Sequence, residues 1–235
     1  FVSTGTLTFS SKILRYFAQK PPASVSIPAQ TITGAEAQAL SITFAYTCPV
    51  TTKGAMVCYF SPGDGGTAST VVWNTNESLS VGATSAATHS PDKIFSLVSP
   101  TSGNHNLVCT MTGGGSTIIA AVMVFDGVDQ TTPIRAGSAV GAKDDVGSVD
   151  VSVTETAGLS RVGDVIFCGV TGGSALSGQT QTEQYLSNVS SASWNDNLEL
   201  ATAAGTASSV TFSMTIVGGD GWRTLVVSIA QAGRR

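Results

Sequence analysis

The chain has 235 residues, 42% of them hydrophobic and only 11% charged, with a formal net charge of −4. That much apolar material excludes a charge-driven disordered protein. The shortage of Lys and Arg speaks against nucleic acid as a partner, because affinity for phosphate comes from those cations. No apolar run reaches the ~18–20 residues of a membrane-spanning helix, so no membrane partner is expected either.

Ser and Thr supply about a quarter of the residues, and there are 26 Gly. Thr, Val, Ile and Phe on a Gly/Ser background form many short strands joined by turns, whereas long surface helices draw on Glu, Lys, Arg and Ala. At this length one β-sandwich can bury a core without a disulfide or metal staple.

The first 22 residues stand apart. Lys12, Arg15 and Lys20 are three of eleven basic residues, no acid precedes Glu36, and Pro21-Pro22 closes the segment. One reading is an ordinary first strand over residues 4–9 followed by a linker. The other is an arm whose Lys12, Arg15, Tyr16, Phe17 and Lys20 dock on a neighbouring molecule. The chain opens at Phe1 without a charged n-region and apolar h-region, so any signal peptide is absent or already removed.

From residue 38 the strand signal is regular. Leu40, Ile42, Phe44 and Tyr46 alternate with Ser41, Thr43 and Ala45, the period of a half-buried strand. Further strands are expected over residues 56–60, 70–73, 94–98, 107–111, 118–125, 149–153 and 165–170. The turn Ser61-Pro62-Gly63-Asp64-Gly65-Gly66 ends the first of them. Val210, Phe212, Met214 and Ile216 alternate, and with residues 222–229 they read as a hairpin across Gly218-Gly219-Asp220-Gly221. About eleven short strands, with no 3.6-residue apolar period, predict an all-β, antiparallel, jelly-roll-like sandwich. It would occupy residues 23–235 as a single domain without internal repeat, preceded by the extended N-terminal arm.

Chemistry-bearing residues are scarce. Cys48, Cys58, Cys109 and Cys168 form no CxxC pair, which leaves out the zinc and thioredoxin spacings. Each sits among apolar neighbours, as a buried free thiol does; a Cys48–Cys58 disulfide is the alternative, and the redox compartment stays open. His89 and His105 lie in polar turns without metal-ligand spacing. GxSxG does not occur, and Gly113-Gly114-Gly115-Ser116 lacks the lysine of a phosphate loop. Asp126, Asp129, Asp144, Asp145 and Asp150 form a modest acidic cluster that matches no calcium pattern and reads as turn carboxylates. Glu183 could serve a glycosidase-like pair, but nothing in the sequence selects its partner. Neither catalysis nor a cofactor is expected.

Residues 172–197 read as the longest irregular piece, and long loops in compact domains carry function. Gln181, Tyr185, Trp194 and Asp196 there set aromatics beside amides and a carboxylate, which suits a sugar or protein contact. The plainer reading is a loop anchored by one aromatic. Trp73 and Trp222 read as core or edge packing. Asn76 and Asn188 fit the N-glycosylation pattern, which Ser/Thr-rich chains meet by chance.

One stretch carries a resemblance. At residues 120–133 an apolar strand ends in Phe125 and runs into Asp126-Gly127-Val128-Asp129-Gln130-Thr131-Thr132-Pro133. Later Gly163-Asp164 enters the apolar Val165-Ile166-Phe167, followed by Gly178-Gln179-Thr180-Gln181 and the closing hairpin. Over residues 38–232 this order resembles jelly-roll-like β modules of phage virion proteins and bacterial surface proteins. The resemblance implies a structural or binding role on a virion or cell surface and carries over no catalytic residues. The motif also has a local explanation: Gly127 can take positive φ, and Asp126 or Asp129 can accept nearby backbone amides in an Asx turn.

These readings lead to a non-enzymatic virion structural protein, a capsid decoration (cement) or tail-appendage protein, on the virion surface or extracellular. Its partners would be other virion proteins or identical copies in a homo-oligomer. The alternative is an extracellular carbohydrate-binding or adhesion module that engages a surface glycan.

Overall fold

The computed structural model describes residues 24–28, 32–63, 65–85, 90–113, 117–135, 143–144, 151–157, 160–173, 175–190, 195–206, 209–217 and 222–233. The arm residues Lys12, Arg15, Tyr16, Phe17 and Lys20 lie outside them.

All strand pairings are antiparallel and the described residues contain no helix. The first half holds β1 (Thr33–Ala37), β2 (Ser41–Cys48), β3 (Ala55–Pro62), β4 (Gly66–Trp73), β5 (Glu77–Ser78), β6 (Ser80–Thr84), β7 (Lys93–Val98), β8 (Gly103–Gly113) and β9 (Ile118–Phe125). The second holds β10 (Lys143–Asp144), β11 (Val151–Ala157), β12 (Val165–Gly172), β13 (Leu176–Ser177), β14 (Thr182–Ser190), β15 (Asn195–Ala204), β16 (Val210–Ile216) and β17 (Trp222–Ile229).

The sheet orders are β1-β9-β3-β7-β6 and β2-β8-β4-β5 in the first half, and β10-β17-β12-β15-β14 and β11-β16-β13 in the second. Taken strand by strand, these are one topology used twice. β1, β9, β3, β7 and β6 correspond to β10, β17, β12, β15 and β14, while β2, β8 and β4 correspond to β11, β16 and β13. Only β5 lacks a counterpart. Each half is thus a jelly-roll sandwich, which agrees with the all-β, antiparallel expectation. The repeat is one of topology, and the sequence reading, which expected a single sandwich without internal repeat, did not find it.

The four sheets stack in layers. Met56, Cys58 and Phe60 of β3 and Val122 and Val124 of β9 point into the core of the first sandwich with Ile42, Tyr46, Trp73 and Leu107. The alternate residues Val57, Tyr59, Met123 and Phe125 point the other way, onto Phe167, Leu198, Leu200, Leu225 and Val227 of the second half. Ile166, Cys168, Val170 and Val226 then face Phe212, Met214 and Ile216 in the core of the second sandwich. The two five-stranded sheets are therefore covered on both faces, and β3, β9 and β12 are buried at every residue. Continuous apolar runs follow from that placement. In β2, which covers the first sandwich from outside, Ile42, Tyr46 and Cys48 are buried, Phe44 is half-buried and the residues between them are exposed.

The sequence reading of residues 172–197 as irregular is corrected. They contain β13, β14 and the start of β15. β14, Thr182–Ser190, ends its sheet and carries mostly polar residues, so it shows no apolar period. All four cysteines are free and buried, and the Cys48–Cys58 alternative is not formed.

Candidate functional site

The motif stretch forms the connection between the two sandwiches. Asp126 Oδ1 accepts the backbone N–H groups of Gly127 at 2.8 Å, Lys53 at 2.9 Å and Thr52 at 3.2 Å. Burial pushes its carboxyl up, but these amides and the Thr52 hydroxyl outweigh that and hold it below the usual carboxylate range. Gly127 has φ of 76°, and Asp129 Oδ1 accepts Thr131 N at 2.8 Å and Thr132 N at 3.0 Å. Asp129 makes the expected Asx turn, whereas Asp126 accepts its own neighbour's amide, the amides of Thr52 and Lys53 and the Thr52 hydroxyl. Gln130 spans the same corner, donating to Gly54 O and Val128 O and accepting from Ser99 Oγ at 2.7 Å.

The second motif residue, Asp164, clamps this connection to the second sandwich. Arg135 grips it twice, Nη2 to Oδ1 at 2.6 Å and Nε to Oδ2 at 2.9 Å. The amides of Arg161 and Gln231 and the Ser228 hydroxyl donate to it at 3.0 Å each. Burial opposes its charge, but the Arg135 hydrogen bond, the Gln231 amide, Ser228 and the Arg135 charge together keep its carboxyl below the usual range.

A third polar group joins the halves inside the shared core. Asp92, fully buried, accepts the Tyr59 hydroxyl, Ser61 Oγ at 2.7 Å and Thr171 Oγ1 at 3.3 Å. Arg223 Nε lies 3.3 Å from Asp92 Oδ1, and its Nη1 and Nη2 donate to Ser90 O at 3.0 Å and Ser61 Oγ at 3.1 Å. Burial, then the Asp92 charge, push the Tyr59 phenol well above its ordinary value. The Ser61 hydroxyl donates to the carboxylate. Tyr59 is held protonated. The network fastens β3 and the start of β7 to β12 and β17.

One group is left incomplete. Glu199 on β15 is 1% exposed, and neither carboxylate oxygen has a hydrogen-bond partner. Gln179 Nε2 and Trp222 Nε1 are likewise buried without partners. Leu198 and Leu200 point into the shared core, so the alternation of the strand turns Glu199 toward the inside of the second sandwich. Burial raises its carboxyl to about 7; nearby Gln179 offsets part of that and the Glu183 charge adds to it. Glu183 thus acquires the acidic neighbour that its sequence did not select. An incomplete buried carboxylate with a raised pKa is the strongest candidate site among the described residues.

Three of the four expected ligand residues fall among the described ones. Gln181 donates Nε2 to Thr211 O at 2.8 Å. Tyr185 is in register with Leu200 on β14–β15, and Asp196 with Val189, four residues farther along the hairpin. Trp194 lies outside the described residues, as do His89, Asp145 and Asp150. His105 packs edge-on against Trp73 at 5.3 Å and reaches Ser102 O at 3.3 Å, while the Trp73 indole donates to Thr101 O at 3.0 Å. These are packing roles. Asp92, Arg223 and Glu199 escaped the sequence reading; for Glu199 the available signal was a lone carboxylate inside the apolar Leu198-Glu199-Leu200-Ala201. No protein-family model matches the chain, and no curated protein matches it.

Proposed function

We propose that the chain is a non-enzymatic structural protein of a virion, a capsid decoration or tail-appendage protein that packs against identical copies or other particle proteins. The observation that carries this reading is the outer sheet of the first sandwich. Its three long strands, β2, β8 and β4, contain no Asp, Glu, Lys or Arg. Ser41, Thr43, Thr47, Asn104, Asn106 and Thr70 stand exposed on its outer side. Charge is depleted at interface cores, and edge strands that must stay solitary are usually guarded by charge. β2 ends its sheet and carries no such guard. The Asp92 and Asp164 networks support the same reading, since they hold two sandwiches as one stiff body.

The test is a rebinding assay on particles stripped of this chain. The full chain should rebind in a fixed ratio, and a variant lacking residues 1–22 should keep its fold yet fail to attach. Undiminished attachment of the shortened chain would remove the arm from the account. Failure of the full chain to rebind would favour the extracellular carbohydrate-binding or adhesion alternative.

A further inference from the structure

We propose that Glu199 is a proton-operated latch, closing residues 175–181 over the flank of the second sandwich when protonated and releasing them when ionised. The proposal is independent of the virion reading.

Residues 175–181 pass from the outer sheet to the inner one. They lie along β16 by hydrogen bonds from Val217 N to Ala175 O at 2.9 Å, Thr180 N to Ser213 O at 3.0 Å and Gln181 Nε2 to Thr211 O at 2.8 Å. Leu176 anchors them in the core. Toward the inner sheet, the segment's polar contribution is Gln179, set beside Glu199 without a hydrogen bond of normal geometry. A neutral carboxyl is tolerated in such a place; a carboxylate there needs donors or water. Water reaches it by parting the segment from β15.

No cation on the described residues offsets the charge. Among the described side chains Glu183 of β14 is the charged neighbour, and it repels; Glu155 of β11 stands in register with Phe212. Val170 and the Cys168 thiol face the same core from β12, Met214 and Ile216 from β16, and Trp222 from β17. Asp144 of β10 stands in register with Trp222 at the opposite edge of the sheet.

The sign follows from proton binding. With its carboxyl raised from 4.5 to about 7, the folded chain holds a proton between those pH values that the unfolded chain has lost. Stability therefore falls as pH rises through this window and levels off above it. Within the window the folding equilibrium changes by at most roughly tenfold for each step of one in pH.

The experiment measures urea unfolding of the full chain from pH 5 to 9 for wild type, Glu199→Gln and Glu183→Gln, together with the ¹³C titration of the Glu199 carboxyl in the wild type. The latch predicts a fall in wild-type stability up to about pH 7–8, flattened in Glu199→Gln and shifted to lower pH in Glu183→Gln. It also predicts that hydrogen exchange at Thr180 and Val217 gains on that at Val226 above neutral pH, in wild type but not in Glu199→Gln. Parallel stability profiles for wild type and Glu199→Gln would overturn it. So would unchanged relative exchange at Thr180 and Val217. If Glu199→Gln fails to fold, a Glu199 carboxyl titrating near 4.5 in the wild type overturns it alone.

Discussion

The contact between Tyr59 and Gly169 reports most sharply on how the two sandwiches meet. A methyl on Gly169 would lie 2.2 Å from Tyr59 Cδ2 and 2.4 Å from Cε2, well inside van der Waals contact. The ring cannot swing aside freely, because its hydroxyl is bound to the buried Asp92. Gly169→Ala must either overpack the shared core, at about 1–3 kcal/mol, or break that hydrogen bond, at about 1.5–3 kcal/mol. Alanine at an unstrained position would by itself stabilise by about 0.4–1 kcal/mol through the unfolded chain. The expected net loss is about 0.5–2.5 kcal/mol, read from urea unfolding at constant m-value. In a Tyr59→Phe background the ring is unpinned, so the same substitution should cost measurably less. A Gly169→Ala chain as stable as wild type, or more stable, would refute the packing of β3 against β12.

Two further outcomes follow from the polar networks. Asp92→Asn should cost about 3 kcal/mol or more, since it removes the carboxylate that pairs with the largely buried Arg223 guanidinium; a loss under about 1 kcal/mol would show the pair to be dispensable. The lowered carboxyl of Asp164 adds stability that is full above the unfolded value near 3.8 and is lost as pH falls through the folded one. Acid unfolding of Asp164→Asn should accordingly show a shallower pH dependence below pH 4 than wild type.

The strand content was legible where burial is one-sided or continuous. Ile42, Phe44 and Tyr46 announced β2 by alternation, and Ile118–Phe125 announced β9 by an unbroken apolar run. The same run did not say that its two faces serve different cores, because a residue pattern records burial and not what covers it. β14 was missed for the converse reason, as a polar edge strand has nothing to alternate. The Asx turn at Asp129 was readable, since its partners Thr131 and Thr132 are two and three residues away; at Asp126 only the Gly127 amide was, because Thr52 and Lys53 lie 74 and 73 residues back. Asp92 was not, because its partners include Thr171, 79 residues farther along the chain. Glu199 needed the fold before its isolation became visible: only the alternation of β15 shows that it points inward. The topological repeat was hidden for a similar reason. The two sandwiches keep strand order while differing in strand length, as β4 with eight residues and its counterpart β13 with two illustrate.

The most direct test of the virion role is quantitative mass spectrometry of particles purified from the source culture, comparing this chain's copy number with that of the most abundant shell protein. A virion structural protein should be present in a simple fixed ratio, near-stoichiometric for a decoration protein and a handful of copies per particle for a tail appendage. Complete absence of the chain from the particles would contradict that role.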